Sequence, residues 1–438
     1  MRQFLYITPY FPPQTQVGAL RPLKLVRQLP ALGWQPVVLC DLWPSDGMDA
    51  ELERFVPEQA VVLREYSHRA GPTWRRLHRP SAAAQMPKPQ RVPKGRPLHE
   101  RLIPQWLNNP ELMPLGEHSP DMPWAYKAAL QALDDHPAIC AIVVNSDPFA
   151  AAIVGAWLHQ RTGLPLVQDF RDIWAPCKLR RPRRPAPWRW LEDKLERYCL
   201  ENAAHVVINT QTSLQDYWQF YPDLPADRFS LLRNFFDADL VRHGQHAGYD
   251  RFTLLHLGNF SRFRVADPLV RALARSLELG VPRDGVQVAT TGAIGQAARD
   301  LAEQLGVVDL LRGESEVAYH QTGALCAEAD LLVYIAEPNA DQRIASKFYD
   351  YLGSGRPILS ISDNPESAAM LAGMDAAAQF AFADIDGMAR FIAAQVRSGR
   401  QHAYARPLAG LTALEAGRRY AQILDAVAAG RPVPPVGA

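Results

Sequence analysis

The 438-residue sequence has little cysteine, and what there is forms no pattern. Its five cysteines, at 40, 140, 177, 199 and 326, include no C-x-x-C pair and stand near no ladder of histidines. That excludes a zinc ribbon and a disulfide framework, and the five read as reduced, mostly buried thiols of a cytosolic protein. Long apolar runs are missing too. The longest, FAAAIVGAWL at 149–158, is half of what a bilayer span needs. The opening MRQFLYITPYFPPQ is a short apolar run broken by prolines, unlike a signal peptide. Membrane contact is therefore expected to be peripheral. Net charge is only +1, so no global field points to nucleic acid. The nearest glycine pattern, GAIGQAA at 292–298, lacks the GxGxxG spacing, and GxxxxGK[ST] does not occur, which argues against nicotinamide, flavin and P-loop chemistry. No repeat of 20–50 residues is visible.

What the sequence does have is alternation. FLYIT at 4–8 reads as a buried strand, a Pro-rich turn follows, RPLKLVRQLPALG has helical spacing, and PVVLCDL at 36–42 is a second strand. After an Arg-, Lys-, Pro- and Trp-rich excursion at 64–107, order returns. A helix is expected at 122–134, then the strand 141–146, a helix at 148–161, the strand 164–170, a helix at 188–202, the strand 205–210, another helix and the strand 229–234. The pattern restarts at Phe252: helix 267–278, strand 286–292, helix 294–305, strand 307–313, helix 318–329, strand 329–336, helix 346–353 and strand 356–362. A last amphipathic helix at 411–429 follows the second sheet and is placed back on the first half. The fold class is α/β, with two Rossmann-like doubly wound parallel sheets, 1–245 and 251–405, facing each other across a cleft. Ligands of such sheets bind at the C-terminal strand edges.

One stretch, ASKFYDYLGSGRP at 345–357, describes a short helix with both ends fixed. Ser346 is a natural N-cap, Gly353 and Gly355 can take the positive φ that ends a helix, and Pro357 keeps it from resuming. A helix N-terminus is also an anion site. Arg343 and Lys347 flank this one, and Arg262 and Arg264 sit in the turn after the first strand of the same half. Four cations on two turns suit a diphosphate, with Asp350, one turn into the helix, placed for hydroxyls. A capped helix with solvated charges is the competing reading, and physics alone leaves both open.

The chain resembles GT-B glycosyltransferases of the retaining family 4, of the bacterial lipopolysaccharide, capsule and exopolysaccharide type. The resemblance is carried by YITPYFPPQTQVGALRPLKLVRQLPALGW, NSDPF, DFRDIW, LHLGNFSRFR and RIASKFYDYLGSGRPIL, in that order over nearly the whole length. It implies an acceptor site on the N-terminal half and a nucleotide-sugar donor, UDP favoured, on the C-terminal half. By position it makes Asp350 the ribose carboxylate, where the family usually has glutamate. Gln342 stands where the broad family has a second glutamate, so the EX7E pattern is not intact. The amides of Ala345, Ser346 and Lys347 match the diphosphate cradle, and Arg264 matches the phosphate arginine; Arg262 or Lys347 replaces a missing lysine. Gly18 matches a glycine loop facing the donor phosphate, with Ala19 in place of its second glycine, and Gly313 and Arg343 join the donor side. Asp169, Arg171 and Ser146 line the acceptor side, and Arg264, Lys347 and Asp172 are the catalytic candidates.

The mechanism so implied stabilises charge on the leaving β-phosphate and needs neither cofactor nor metal. The triplets DAD at 237–239 and DID at 384–386 follow no first-half strand end and are counted as chance. KLRRPRRPAPWRW at 178–190 has six cations and no acid, and with 64–107 it suggests an anionic membrane surface and a lipid-linked acceptor, against a solvated loop. The enzyme is then expected on the inner face of a cell membrane. Two rivals stand: a UDP-sugar 2-epimerase of the same fold, and a non-catalytic nucleotide-sugar-binding module.

Overall fold

The structure is a computed structural model that describes residues 1–42, 47–67, 115, 118–146, 148–241, 248–261, 264–313 and 317–435. The chain forms two compact units, Met1–Leu232 with Gly417–Ala438, and Arg233–Ala416.

In the first unit seven strands make one parallel sheet: β1 (Arg2–Ile7), β2 (Trp34–Leu39), β3 (Val61–Leu63), β4 (Ile139–Ser146), β5 (Leu166–Phe170), β6 (His205–Ile208) and β7 (Phe229–Leu231). Their order is β3-β2-β1-β4-β5-β6-β7, with Leu5 opposite Val37 on one side and Ile142 on the other. These strands are near-continuous apolar runs because a parallel sheet is covered on both faces. The order reverses between β1 and β4, the topological switch point. There Asn145 Nδ2 donates to Thr8 Oγ1 at 3.2 Å. The helix Ala413–Ala428 belongs to this unit from Gly417 onward, where a Cβ would lie 2.5 Å from Gln28 Cβ, so helix and helix meet closely. Asp425 near its end accepts from the indole of Trp34 at 3.0 Å and from Arg2.

The second unit repeats the plan with β8 (Phe252–His256), β9 (Val286–Thr290), β10 (Leu311–Gly313), β11 (Leu331–Ile335), β12 (Ile358–Ile361) and β13 (Ala377–Phe380), ordered β10-β9-β8-β11-β12-β13. Its switch point lies between β8 and β11, where Leu254 pairs with Leu331. The expected strand 307–313 is shorter: Val308–Leu310 is a 3-10 turn and only Leu311–Gly313 joins the sheet. β3 and β13 were not anticipated, since VVL and AAQF are too short and only half-buried to show a period. Of the excursion 64–107 only residues 64–67 are described; there Arg64 pairs with Glu53 at 2.6 Å and Tyr66 is buried. Residues 233–241 belong to the second unit because they are fastened there, Phe236 N–H to Leu411 O and Ala413 N–H to Phe236 O, both at 2.8 Å.

One buried ion pair organises the end of β5. Arg21, in the helix Val17–Gln28, donates to Asp169 through Nε at 3.2 Å and Nη2 at 3.1 Å. Nη2 also donates to the carbonyl of Leu232 at 3.0 Å. Both side chains are out of solvent. Removing one partner of such a pair leaves an uncompensated charge, at about 3–5 kcal/mol. Asp169→Asn is therefore expected to lower unfolding free energy by that order in urea titration of the full chain; a change below about 1 kcal/mol would show that the pair does not hold this edge.

Candidate active site

The helix Ser346–Ser354 begins at the residue expected to be its cap. Ala345, extended at φ −66° and ψ 147°, holds the N-cap position, and no side chain caps the helix. Ser346 is thus the first helical residue, a correction to its reading as the cap. The Ala345 N–H is taken by the phenol oxygen of Tyr334 at 3.1 Å. That leaves the first-turn amides of Ser346 and Lys347, which have no carbonyl inside the helix to bond. At the other end only Gly355 is left-handed, with φ 70°, and a Cβ there would meet Tyr404 O at 2.5 Å. Gly353, expected to share that role, lies inside the helix.

This helix grips the end of β8. Lys347 Nζ donates to the carbonyl of Leu257, and the Tyr351 hydroxyl, one turn on, accepts the Leu257 N–H at 2.8 Å. Gly258 makes the approach possible: its φ is +118°, and a Cβ would stand 2.9 Å from Lys347 Nζ. Across the switch point, His256 Nδ1 lies 2.9 Å from the carbonyl of Val333, which fixes the proton on Nδ1. Burial first, then Lys347 and Arg264, hold the His256 pKa far below its ordinary value, so the ring is neutral. Loss of water, with the nearby charge of Arg264 adding to it, pushes the Lys347 pKa down to about 7. Arg264 is held in place by a reciprocal turn with Ser261, N–H to carbonyl at 3.0 and 3.1 Å.

Asp350 is buried and accepts from the Tyr319 hydroxyl at 3.0 Å. Gln342 is buried in the loop before the helix. Arg343 stands 3.6 Å from Glu337, so its charge is shared with an acid that the sequence reading did not weigh. Gly313 ends the edge strand β10, beside the carbonyl of Gly292. Arg262 lies outside the described residues. The structure thus brings together Lys347, Arg264 and the open helix start. It adds Gly258, His256, Tyr334 and Tyr351, whose sequence signals were a lone glycine and residues indistinguishable from core.

In the first unit the predicted acceptor residues separate. Ser146 is fully buried and donates to Gln168 Oε1 at 3.1 Å; Asp169 is consumed by Arg21. Both are framework. Arg171, Asp172 and Gly18 do meet: a Cβ on Gly18 would lie 2.6 Å from Arg171 Nη1 and 2.7 Å from Tyr10 Cδ2, and Arg171 Nε is 3.6 Å from Asp172 Oδ2. Tyr10 extends this group, with its hydroxyl 2.8 Å from His118 Nε2 and His118 Nδ1 3.4 Å from Asp121 Oδ2. These residues are too far apart in the chain for spacing to connect them.

Residues 19–234 match the family described as the glycosyl transferase 4-like domain. That region is a glycosyltransferase domain of the GT4 type, and the chain has the GT-B fold. No curated protein matches its sequence. Among solved structures it is similar to sucrose-phosphate synthase from Thermosynechococcus elongatus, with TM-score 0.60, 13% identity, and 98% of this chain and 97% of that one covered. It is similar to Anabaena HepE in complex with UDP, at TM-score 0.57, 14% identity and coverage of 97% and 100%. It is also similar to UDP-GlcNAc 2-epimerase from Methanocaldococcus jannaschii, at TM-score 0.54, 11% identity and coverage of 97% and 99%. Such distant likeness shows the fold alone. Among the described residues of this glycosyltransferase no helix is long and apolar enough to cross a membrane, and no cluster of His, Cys, Asp or Glu is placed for a metal ion.

Within the basic run 178–190 of the glycosyltransferase, three arginines are engaged by the protein itself. Arg180 donates to the carbonyl of Ile173 with its guanidinium 4.7 Å from the Phe149 ring. Arg181 binds both oxygens of Asp193, at 2.5 and 3.0 Å, and the carbonyl of Ala175 at 3.3 Å. Arg184 is buried against Glu192, which also accepts from the Trp174 indole at 2.9 Å. Glu196, its pKa raised to about 7 by burial, accepts from Ala175 N–H at 3.0 Å, Tyr217 at 2.6 Å and Tyr221 at 2.8 Å. The run is a clasp on the loop after β5 that carries Arg171 and Asp172. Arg183 and Trp190, 63% exposed, do face solvent.

Two outcomes are expected. Arg184→Ser strands Glu192 and should cost about 3–5 kcal/mol of stability, whereas exposed Arg183→Ser should stay within about 0.5 kcal/mol in the same urea titration; equal effects would refute the clasp. For Lys347, an anion at the helix start favours the ammonium. Below pH 7 the lysine is already charged and contributes no pH dependence; above about 7 binding must take up a proton, so affinity falls. Calorimetry with pyrophosphate above that pH, in buffers of differing ionisation enthalpy, should show proton uptake that Lys347→Arg abolishes.

Proposed function

We propose that the enzyme transfers a sugar, with retention of anomeric configuration, from a UDP-sugar to an acceptor hydroxyl on a lipid-linked glycan. The observation that carries this reading is the convergence of Lys347, Arg264 and the first turn of the helix Ser346–Ser354 at the switch point of the second sheet, with Asp350 one turn on. The bond from the sugar C1 to the β-phosphate oxygen breaks, and a bond from the acceptor oxygen to C1 forms. The acceptor proton leaves with the nucleoside diphosphate. Lys347, Arg264 and the amides of Ser346 and Lys347 stabilise the charge that builds on that phosphate, a preorganised arrangement that acts most strongly in the transition state. Asp350, oriented by Tyr319, accepts from the ribose hydroxyls. Gln342 donates or accepts one hydrogen bond at the sugar.

UDP is favoured because HepE was obtained with it and the M. jannaschii epimerase is named for a UDP-sugar. The fold does not separate transfer from epimerisation; the family match favours transfer. In the first unit Arg171, Asp172 and Tyr10, beside Gly18, are the acceptor group. A membrane role rests on the exposed Trp190 and Arg183, with the clasp arginines excluded from it. The reaction proceeds without a metal, since two cations and helix amides already face the leaving group.

A thermal-shift screen of nucleoside diphosphates identifies the base, and release of UDP from UDP-sugars then reads turnover. Arg264→Ala and Lys347→Ala are each expected to reduce turnover by roughly 100- to 1000-fold while the fold persists, and EDTA is expected to leave the wild-type rate unchanged. Full turnover in both variants would remove this phosphate site. Stabilisation by UDP without any turnover of a UDP-sugar would make the protein a binding module.

A further inference from the structure

We propose that Phe236 is a positioning residue for the donor site, acting through Gly353 on the helix that carries Lys347 and Asp350. The inference rests on the donor reading above and adds a residue outside every motif that led to it. Gly353 stands in the interior of the helix Ser346–Ser354, where glycine is less favourable than alanine, and no positive φ requires it there. Its reason is steric: a Cβ would lie 2.2 to 2.4 Å from Cγ, Cδ1 and Cδ2 of Phe236. The ring therefore lies directly on the helix backbone. Gly353 and Asp350 are neighbours on one face at i and i+3, so the ring packs on the helix face that carries the carboxylate assigned to the ribose.

The ring is placed from outside the helix. Phe236 N–H donates to Leu411 O and its carbonyl accepts from Ala413 N–H, both at 2.8 Å, a parallel bridge opposite Thr412. The same segment reaches the helix surroundings at three further points. Arg233 Nε bonds Glu366 Oε1 at 2.6 Å. Asn234 Nδ2 donates to the carbonyl of Ile344 at 3.5 Å, two residues before the helix. Asp237 is near enough to Tyr319 to add to the rise of its pKa, behind burial and Asp350, and Tyr319 donates to Asp350. Asn234, Phe236 and Asp237 thus reach the lead-in, the interior and the carboxylate partner of one helix. A helix held this way keeps its first-turn amides and Asp350 in register; freed from the ring, it can shift along Gly353.

The test is UDP binding by calorimetry, well below the melting temperature, where circular dichroism shows each variant folded. Phe236→Ala is expected to weaken UDP binding by about tenfold, since a misplacement of under 1 Å suffices for such a loss. Phe236→Leu should fall between. Gly353→Ala, which drives a methyl group into the ring, should lose as much as Phe236→Ala, and Gly353→Ala with Phe236→Leu should recover part of it. In hydrogen exchange, UDP should slow the amides of 234–237 together with those of 346–352. A lowered melting temperature with an unchanged UDP affinity would mean that Phe236 merely stabilises the unit, and would overturn the proposal. If the wild type takes up no UDP, the donor reading falls, and the positioning role is decided on the free protein. Phe236→Ala must then speed exchange of 348–352 relative to the helix Asp267–Glu278, and equal exchange overturns it.

Discussion

Everything in the second unit turns on how the chain disposes of one backbone position, Leu257. Its carbonyl takes the Lys347 ammonium and its N–H goes to the Tyr351 hydroxyl, so a strand end is bonded at both polar groups by one helix face. The arrangement needs Gly258, whose missing side chain leaves room for the ammonium. It also strips water from a lysine beside an arginine, which is why the Lys347 pKa drops toward neutrality. A lysine with so little solvation beside a second cation is unfavourable as it stands. An anion bridging them and the open helix amides would offset that cost, and this physical tension is what supports the proposed donor site at the switch point of the second sheet.

The first unit uses charge differently. Arg21 with Asp169 and Arg184 with Glu192 are ion pairs withdrawn from water, and each fixes a segment next to the half-buried pair Arg171 and Asp172. Arg21 ties β5 to a helix and to Leu232. The clasp of Arg180, Arg181, Glu192 and Glu196 bonds main-chain groups of Ile173 and Ala175 and the Trp174 side chain. Buried ions of this kind contribute little net stability over apolar residues, but breaking one is costly, so they define a loop conformation more than they strengthen the fold. The polar chain Tyr10–His118–Asp121 adds to this pattern next to Gly18.

The alternation of apolar runs with amphipathic helices was enough to determine two doubly wound sheets, because parallel strands covered on both faces must be apolar throughout and therefore stand out. Helix ends marked by Gly355 and Pro357 were legible for the same local reason: backbone conformation there depends on one or two residues. Motif order across the chain determined the family, and it put Arg264, Lys347 and Asp350 on one site. Burial and partnership were another matter, since neither depends on neighbours in sequence. A run of six cations looks identical whether its arginines meet lipid or meet Asp193, Glu192 and the Phe149 ring. Asp169 looked like a site carboxylate until Arg21, 148 residues away in sequence, was seen to consume it. Gly353 read as a helix stop, and only the tertiary structure, by setting the Phe236 ring against it, shows a glycine kept small for packing. Local conformation and pattern are properties of the chain; which charges are exposed, paired or desolvated is decided where distant segments meet.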